Sequence, residues 1–143
     1  MRKLIKDCNI GNGTKIMPFV NLYGCSIGSN CLIGTFVEIQ KNVLIGNNTK
    51  ISSHTFICEG VDIGDDCFIA HGVMFINDKY TEDRDEWVLR KTVVGNKVRI
   101  GSNATILPVK IGDNSVIGAG SVITKDVLPN TIVMGNPSKV YEK

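Results

Sequence analysis

The chain has two histidines, and their placement is the first sign of chemistry. His54 stands three residues after Ile51, and His71 stands two after Ile69. An imidazole titrates near neutral pH, so one facing outward beside a cleft can serve as a general base. Of the five cysteines, none falls in a C-x-x-C spacing, so neither a metal clip nor a redox pair is read from them. Cys8, Cys25, Cys31 and Cys67 each come two places before an isoleucine and read as small buried hydrophobes. Cys58 directly follows Ile57 at a turn position, where solvent can reach it. No metal is expected from this donor set.

What must position the histidines is a repeat. Isoleucines stand at 27, 33, 39, 45, 51, 57, 63 and 69, an unbroken spacing of six. A small or β-branched residue follows each by four places: Cys31, Val37, Val43, Thr49, Thr55, Val61, Cys67 and Val73. Neither a helical period nor simple alternation makes this pattern. It reads as short strands whose isoleucine and small residue point inward. Gly or a polar residue makes each turn, including Gly28, Gly34, Gly46 and Gly64. Three hexads close one triangular coil, and coils stack as parallel strands about 4.8 Å apart.

Three inward columns follow. The first is Ile10, Ile27, Ile45, Ile63, Val94 and Ile111; the second is Ile16, Ile33, Ile51, Ile69, Ile100 and Ile117. The third is Leu22, Ile39, Ile57, Phe75, Ile106 and Ile123. That predicts about six coils in a single domain. Ile51 and Ile69 share a column, so both imidazoles belong at one corner, on adjacent coils, within a few ångströms. The period slips only between the third column and the first. The slip at 76–93 is an inserted, charged loop with the only Trp, Trp87, and with Tyr80; both are costly to expose, which favours a functional loop over a solvated one. After Ile123 the pattern ends, and 124–143 reads as a cap over the last coil.

Composition narrows the classes. Sixteen basic and 14 acidic residues, net +2, give no surface for nucleic acid or a polybasic membrane contact. No apolar run is long enough to span a bilayer, and the N-terminus lacks the apolar core of a signal peptide. With five cysteines, this points to a reducing cytoplasm.

The repeat resembles that of the hexapeptide-repeat left-handed β-helix acyltransferases. The segments IGAGSVITKDV (117–127) and GNPSKV (135–140) are shared broadly in that family. The segments PFVNLYGC (18–25), GTFVEIQKNVLIG (34–46), ISSHTFICEGV (51–61), HGVMFINDKY (71–80) and IGSNATILP (100–108) resemble one subgroup. That subgroup comprises the N-acyltransferases of nucleotide-linked 3-amino sugars, which serve bacterial surface-polysaccharide (lipopolysaccharide, O-antigen) biosynthesis. The chain departs from it after NDKY, where Thr81-Glu82-Asp83 replaces the usual Pro-Arg.

The resemblance implies a homotrimer with active sites between prisms, acetyl-CoA or another acyl-CoA as co-substrate, and a UDP- or dTDP-linked amino sugar as acceptor. It implies direct attack of the amine on the thioester. By their outward placement, His54 is the first candidate for base and His71 the second, with binding or structural roles as the alternatives; some relatives carry an amide where His54 stands, and there the amine attacks without a protein base. Backbone N–H groups of Gly118 and Ala119 would meet the pantetheine. Lys125 and Lys139 would meet phosphate, and Asn136 and Pro137 would shape the adenine end. Asn21 and Glu38 share an outward slot on adjacent coils, repeated one residue on by Tyr23 and Gln40. This ladder would hold base and ribose, or else form a trimer contact. Asn77, Asp78 and Tyr80 would line the sugar pocket. The γ-class carbonic anhydrases share the fold but use three zinc-binding histidines, one more than this chain has. O-acylation of a sugar or other small acceptor and a non-catalytic scaffold are the other readings.

Overall fold

A computed structural model describes residues 2–80 and 86–141. Three parallel sheets of very short strands wrap around one apolar column, of seven, six and eight strands. Along the coils their order steps by three, so consecutive strands belong to different faces until the closing pair, which share the eight-stranded face. The protein is a left-handed parallel β-helix.

The predicted columns are the observed registers. Ile10 pairs with Ile27, Ile27 with Ile45, Ile63 with Val94 and Val94 with Ile111 on the six-stranded face. Ile33 with Ile51, Ile69 with Ile100 and Ile100 with Ile117 form the eight-stranded face. Leu22 with Ile39, Phe75 with Ile106 and Ile106 with Ile123 form the seven-stranded face. Ile33, Ile39, Ile51, Ile57, Ile69, Ile100 and Ile106 are wholly buried. Each such side chain stabilises the prism by about 2 kcal/mol relative to exposure.

The helix is longer than the sequence pattern suggests. Leu4–Lys6 adds a strand in register with Asn21–Tyr23, giving the seven-stranded face seven coils rather than six. At the other end Val127 bridges to Ile111 and Val133 pairs with Ile117, so two columns continue beyond Ile123. The true cap is an antiparallel hairpin of Ile132–Gly135 and Ser138–Tyr141. The inserted loop ends where Thr92–Val94 rejoins the six-stranded face. Residues 81–85, which include the departure from the NDKY pattern, lie outside the described residues.

Two finer expectations change. Gly28, Gly34, Gly46 and Gly64 do not carry the left-handed backbone; Asn30, Phe36, Asn48 and Asp66, two residues on, do. The glycines answer close inter-coil approach instead: a Cβ on Gly46 or Gly64 would collide with Oδ1 of Asp65 or Asn96 in the next coil. The inward small residues are also more than hydrophobes. Thr14 and Thr49 hydroxyls donate to the Gly28 and Gly64 carbonyls at 2.6 and 2.9 Å. The Cys31 and Cys67 thiols donate in the same way to the Gly46 and Gly95 carbonyls at 3.0 and 3.1 Å. All five cysteines are free.

Candidate functional site

Both histidines stand at the prism edge where the eight-stranded face turns into the seven-stranded one. Its turn slot needs a left-handed backbone, and Phe19, Phe36, His54, Gly72, Asn103 and Gly120 fill it in successive coils. Glycine and asparagine adopt that conformation readily, whereas for a bulky side chain it costs roughly 1–2 kcal/mol. The first three coils nevertheless use aromatic rings. Phe19 stacks on Phe36 with centroids 5.7 Å apart, and Phe36 meets the His54 ring at 5.0 Å. His54 is exposed, held from one side by this ladder. Strained side chains of this kind cluster at working sites.

His54 and His71 share this edge on adjacent coils but are offset by one residue. The Gly72 N–H bonds to the Ser53 carbonyl, so His71 stands beside Ser53 and His54 beside Gly72. Their surroundings differ: His54 faces back toward Phe36, while His71 lines a cavity of about 220 Å³ with Met17, Leu32, Lys50, Ser52 and Ser53. The Ser52 hydroxyl in that wall is buried and, among the described residues, the one buried side-chain oxygen with no partner in the chain. A ligand group can satisfy it. On the other side of the edge lies a cavity of about 590 Å³ lined by Arg2, Lys3, Leu4, Phe19, Val20 and Asn21.

The polar ladder lies on the seven-stranded face, as the spacing predicts. Asn21 pairs in register with Glu38, and the Tyr23 hydroxyl reaches Glu38 Oε2 at 3.4 Å. Gln40 Oε1 accepts the Glu59 N–H at 3.0 Å. Asn77 donates through Nδ2 to the Glu59 carbonyl at 3.1 Å, and the Tyr80 N–H bonds to Asp78 Oδ1 at 3.0 Å. Asn77 lies beside Glu59, five residues on from His54, so the two stand at opposite margins of one face, about 16 Å apart along the strand direction. Within one chain they do not converge. Trp87 and Tyr80 are exposed.

Cys58 is buried, not reachable, because the inserted segment closes over its corner. Asn77 bonds to Glu59, Leu89 packs on Gly60, and the Thr92 N–H bonds to the Gly60 carbonyl. Burial pushes the Cys58 thiol up to about 11.

Ala119 continues the His71 line two coils on, about 10 Å away at the coil spacing. The Gly118 N–H is committed to the Val133 carbonyl at 2.9 Å, so it has no free hydrogen for a pantetheine. The strand Ile132–Gly135 lies over Gly118, and exposed Asn136 and Pro137 extend that edge through a cis peptide. Lys125 and Ser138 line a separate cavity of about 350 Å³, while Lys139 is exposed on the hairpin. Among the described residues no group of three His, Cys, Asp or Glu side chains is arranged to hold a metal. No helix there is long and apolar enough to cross a membrane.

Sequence reasoning missed Phe19, Phe36, Ser52 and Glu59. The first two had a signal: they fall in the same turn slot as His54, where every other occupant is Gly or Asn.

A solenoid of this kind with a polar, histidine-bearing edge defines a class, and comparison makes the class explicit. The family described as bacterial transferase hexapeptide (six repeats) matches residues 7–41 and 42–77, and the hexapeptide repeat of succinyl-transferase matches 91–125. The chain belongs to this hexapeptide-repeat transferase family. It is 44% identical over 142 residues to the bifunctional protein GlmU of Streptococcus gordonii, covering 98% of this chain and 29% of that one. It is 55% identical over 51 residues to the galactoside O-acetyltransferase of Escherichia coli K12, 35% of this chain and 25% of that one. The chain thus spans under a third of the length of these relatives. In fold it is similar to AntD, an N-acyltransferase from Bacillus cereus, solved as a point mutant in complex with dTDP-4-amino-4,6-dideoxyglucose and coenzyme A. There the TM-score is 0.84 at 22% identity, over 94% of this chain and 82% of AntD.

Proposed function

We propose that the protein is a CoA-dependent N-acyltransferase acting on the amino group of a nucleotide-linked amino-deoxy sugar, a 3-amino sugar by its sequence motifs. The observation that carries this reading is the edge itself: an exposed imidazole, His54, held by an aromatic ladder, one coil from a cavity lined by His71, in a fold whose solved neighbour AntD holds coenzyme A and an amino-sugar nucleotide.

The amine attacks the thioester carbonyl and forms the C–N bond. The C–S bond breaks and CoA leaves as the thiolate. His54 takes the proton lost by the amine and returns it to the thiolate sulfur. A backbone N–H near the coil turns stabilises the oxyanion, and holding both substrates in one groove supplies much of the rate. Acetyl-CoA lies toward the C-terminal coils, with Ala119 beside the pantetheine and Asn136, Pro137, Lys125 and Lys139 around the nucleotide. The acceptor lies toward the N-terminal coils, on Asn21, Tyr23, Glu38 and Gln40. Because His54 and the group Asn77, Asp78 and Tyr80 sit at different corners, a complete site needs a neighbouring prism. A homotrimer supplies it, with the partially apolar, exposed Trp87 and Tyr80 loop at the junction.

The test is thiol release from acetyl-CoA with a panel of UDP- and dTDP-linked 3- and 4-amino sugars and their hydroxyl counterparts. Release that requires an amino sugar is expected. Release only with hydroxyl acceptors overturns N-acylation in favour of O-acylation, which the match to the galactoside O-acetyltransferase supports. No release and no CoA binding leaves the scaffold reading.

A further inference from the structure

We infer that Cys8 and Cys25 form an oxidisable thiol pair, which hydrogen peroxide converts to a disulfide fastening the first coil to the second; this does not rest on the acyl-transfer reading.

Stacking, not spacing, makes the pair. The two cysteines are 17 residues apart in the chain, yet their Sγ atoms lie 3.4 Å from each other. They occupy one inward slot on successive coils, since Asn9 pairs with Ser26 and the Asn9 N–H bonds to the Cys25 carbonyl at 3.0 Å. One coil spacing, about 4.8 Å, lies within the Cα separation that a disulfide spans. The slot continues as Val43 and Val61, so no third thiol joins them there. Cys31 and Cys67 show the contrast. Thr49 separates them in their own slot, and their thiols are spent on the Gly46 and Gly95 carbonyls.

The paired thiols are unequal in access. Cys8 is half-buried, in a first coil whose inward residue Ile10 is still 37% exposed, whereas Cys25 is buried behind it. Burial, and then the bond to Cys8, push the Cys25 thiol up to about 12, so Cys25 stays protonated and Cys8 is the group that meets oxidant. The Cys8 thiolate attacks one peroxide oxygen. The O–O bond breaks, the thiol's proton leaves with the second oxygen as water, and Cys8 becomes a sulfenic acid. The Cys25 sulfur then attacks the Cys8 sulfur. The S–S bond forms, the S–O bond breaks, and the Cys25 proton leaves with hydroxide as a second water. Two thiols together lose two electrons, and one peroxide gains them. A dithiol reductant reverses the change. Once fastened, the coils open less often at the bonds from the Leu4, Asn9 and Lys15 N–H groups to the Val20, Cys25 and Cys31 carbonyls.

The test exposes the folded full chain to a small excess of hydrogen peroxide, alkylates the remaining thiols and reads the products by peptide mass spectrometry. Wild type should lose two of its five thiols, yield a Cys8–Cys25 link within one chain, and regain both thiols with dithiothreitol. Amide exchange at Leu4, Asn9 and Lys15 should slow about tenfold in the oxidised form. Cys25→Val, which copies the slot in the next coils, should stop at a Cys8 sulfenic acid that dimedone traps. Cys8→Val should keep every remaining thiol. The inference is overturned if wild type keeps all five thiols under peroxide that oxidises free cysteine, if the lost thiols are joined in any other pairing or between chains, or if Cys25→Val and wild type give the same product.

Discussion

Two edges of the prism solve the same backbone problem with different residues. On the edge between the six- and eight-stranded faces, the left-handed slot is filled by Gly13, Asn30, Asn48, Asp66, Lys97, Asn114 and Asn130. The residues beside that slot interlock the coils. Asn47 Oδ1 accepts the Ser29 N–H at 2.8 Å, Asp65 Oδ1 the Asn47 N–H at 2.7 Å, and Asn96 Oδ1 the Asp65 N–H at 2.8 Å. This edge is built for stability. On the edge bearing His54, the first coils place aromatic rings in a slot that disfavours them and leave them exposed. The contrast teaches that strain within a repeat can mark function, because the neighbouring edge shows what the same slot holds when only folding is at stake.

The comparison can be broken at several points. The largest effect is expected at His54. His54→Asn keeps a residue that tolerates the left-handed backbone, so the fold and CoA binding should persist while turnover falls roughly 10²- to 10⁴-fold. The rate of amide formation, measured beside CoA binding for both proteins, checks it. Unchanged turnover would show that this edge does not supply the base.

Next in size is the interlocked edge. Gly64→Val sets a side chain against the Gly95 backbone and Asn96, and should cost about 3 kcal/mol or more in urea unfolding. A loss near zero would mean that the coils can separate there at no cost. Asp65→Ala removes one inter-coil acceptor and should cost about 1 kcal/mol, seen as a lower melting temperature with activity retained.

The smallest effect concerns the thiols. Cys67→Thr should be nearly neutral, because Thr49 makes the same bond one coil away. Burial raises the Cys25, Cys58 and Cys67 thiols above their ordinary value of 9.0, Cys58 to about 11 and Cys25 to about 12. A raised acid contributes stability that is full below pH 9. It is lost as pH climbs from there toward 11, where the unfolded thiols ionise and the folded ones do not. Unfolding midpoints should therefore fall over that window, and Cys58→Ala should flatten the fall. A flat profile in the unaltered chain would contradict the burial of these groups.

Much of this was legible in the chain itself. The hexad spacing of Ile27 to Ile69 determines three inward columns, because an inward residue that slips by one place is turned to solvent. The same spacing put Asn21 over Glu38 and both histidines on one edge. What spacing alone could not supply was how side chains lean within a slot. His54 turns back onto Phe36 while His71 lines a cavity on the neighbouring face, although their positions differ by a single register step. Nor could it show that Cys58 is covered, since that depends on where a loop with no repeat of its own comes to rest. It misread Gly46 and Gly64 as turn makers, because the reason for them, the Oδ1 of the next coil, is remote in sequence. Residues inside the repeat were determined locally, by the period and the apolar demand of the column. The Gly118 N–H spent on Val133, the strand ahead of the first predicted coil and the closing hairpin were decided only when coils stacked, because hydrogen bonds between coils join residues about one turn of the solenoid apart.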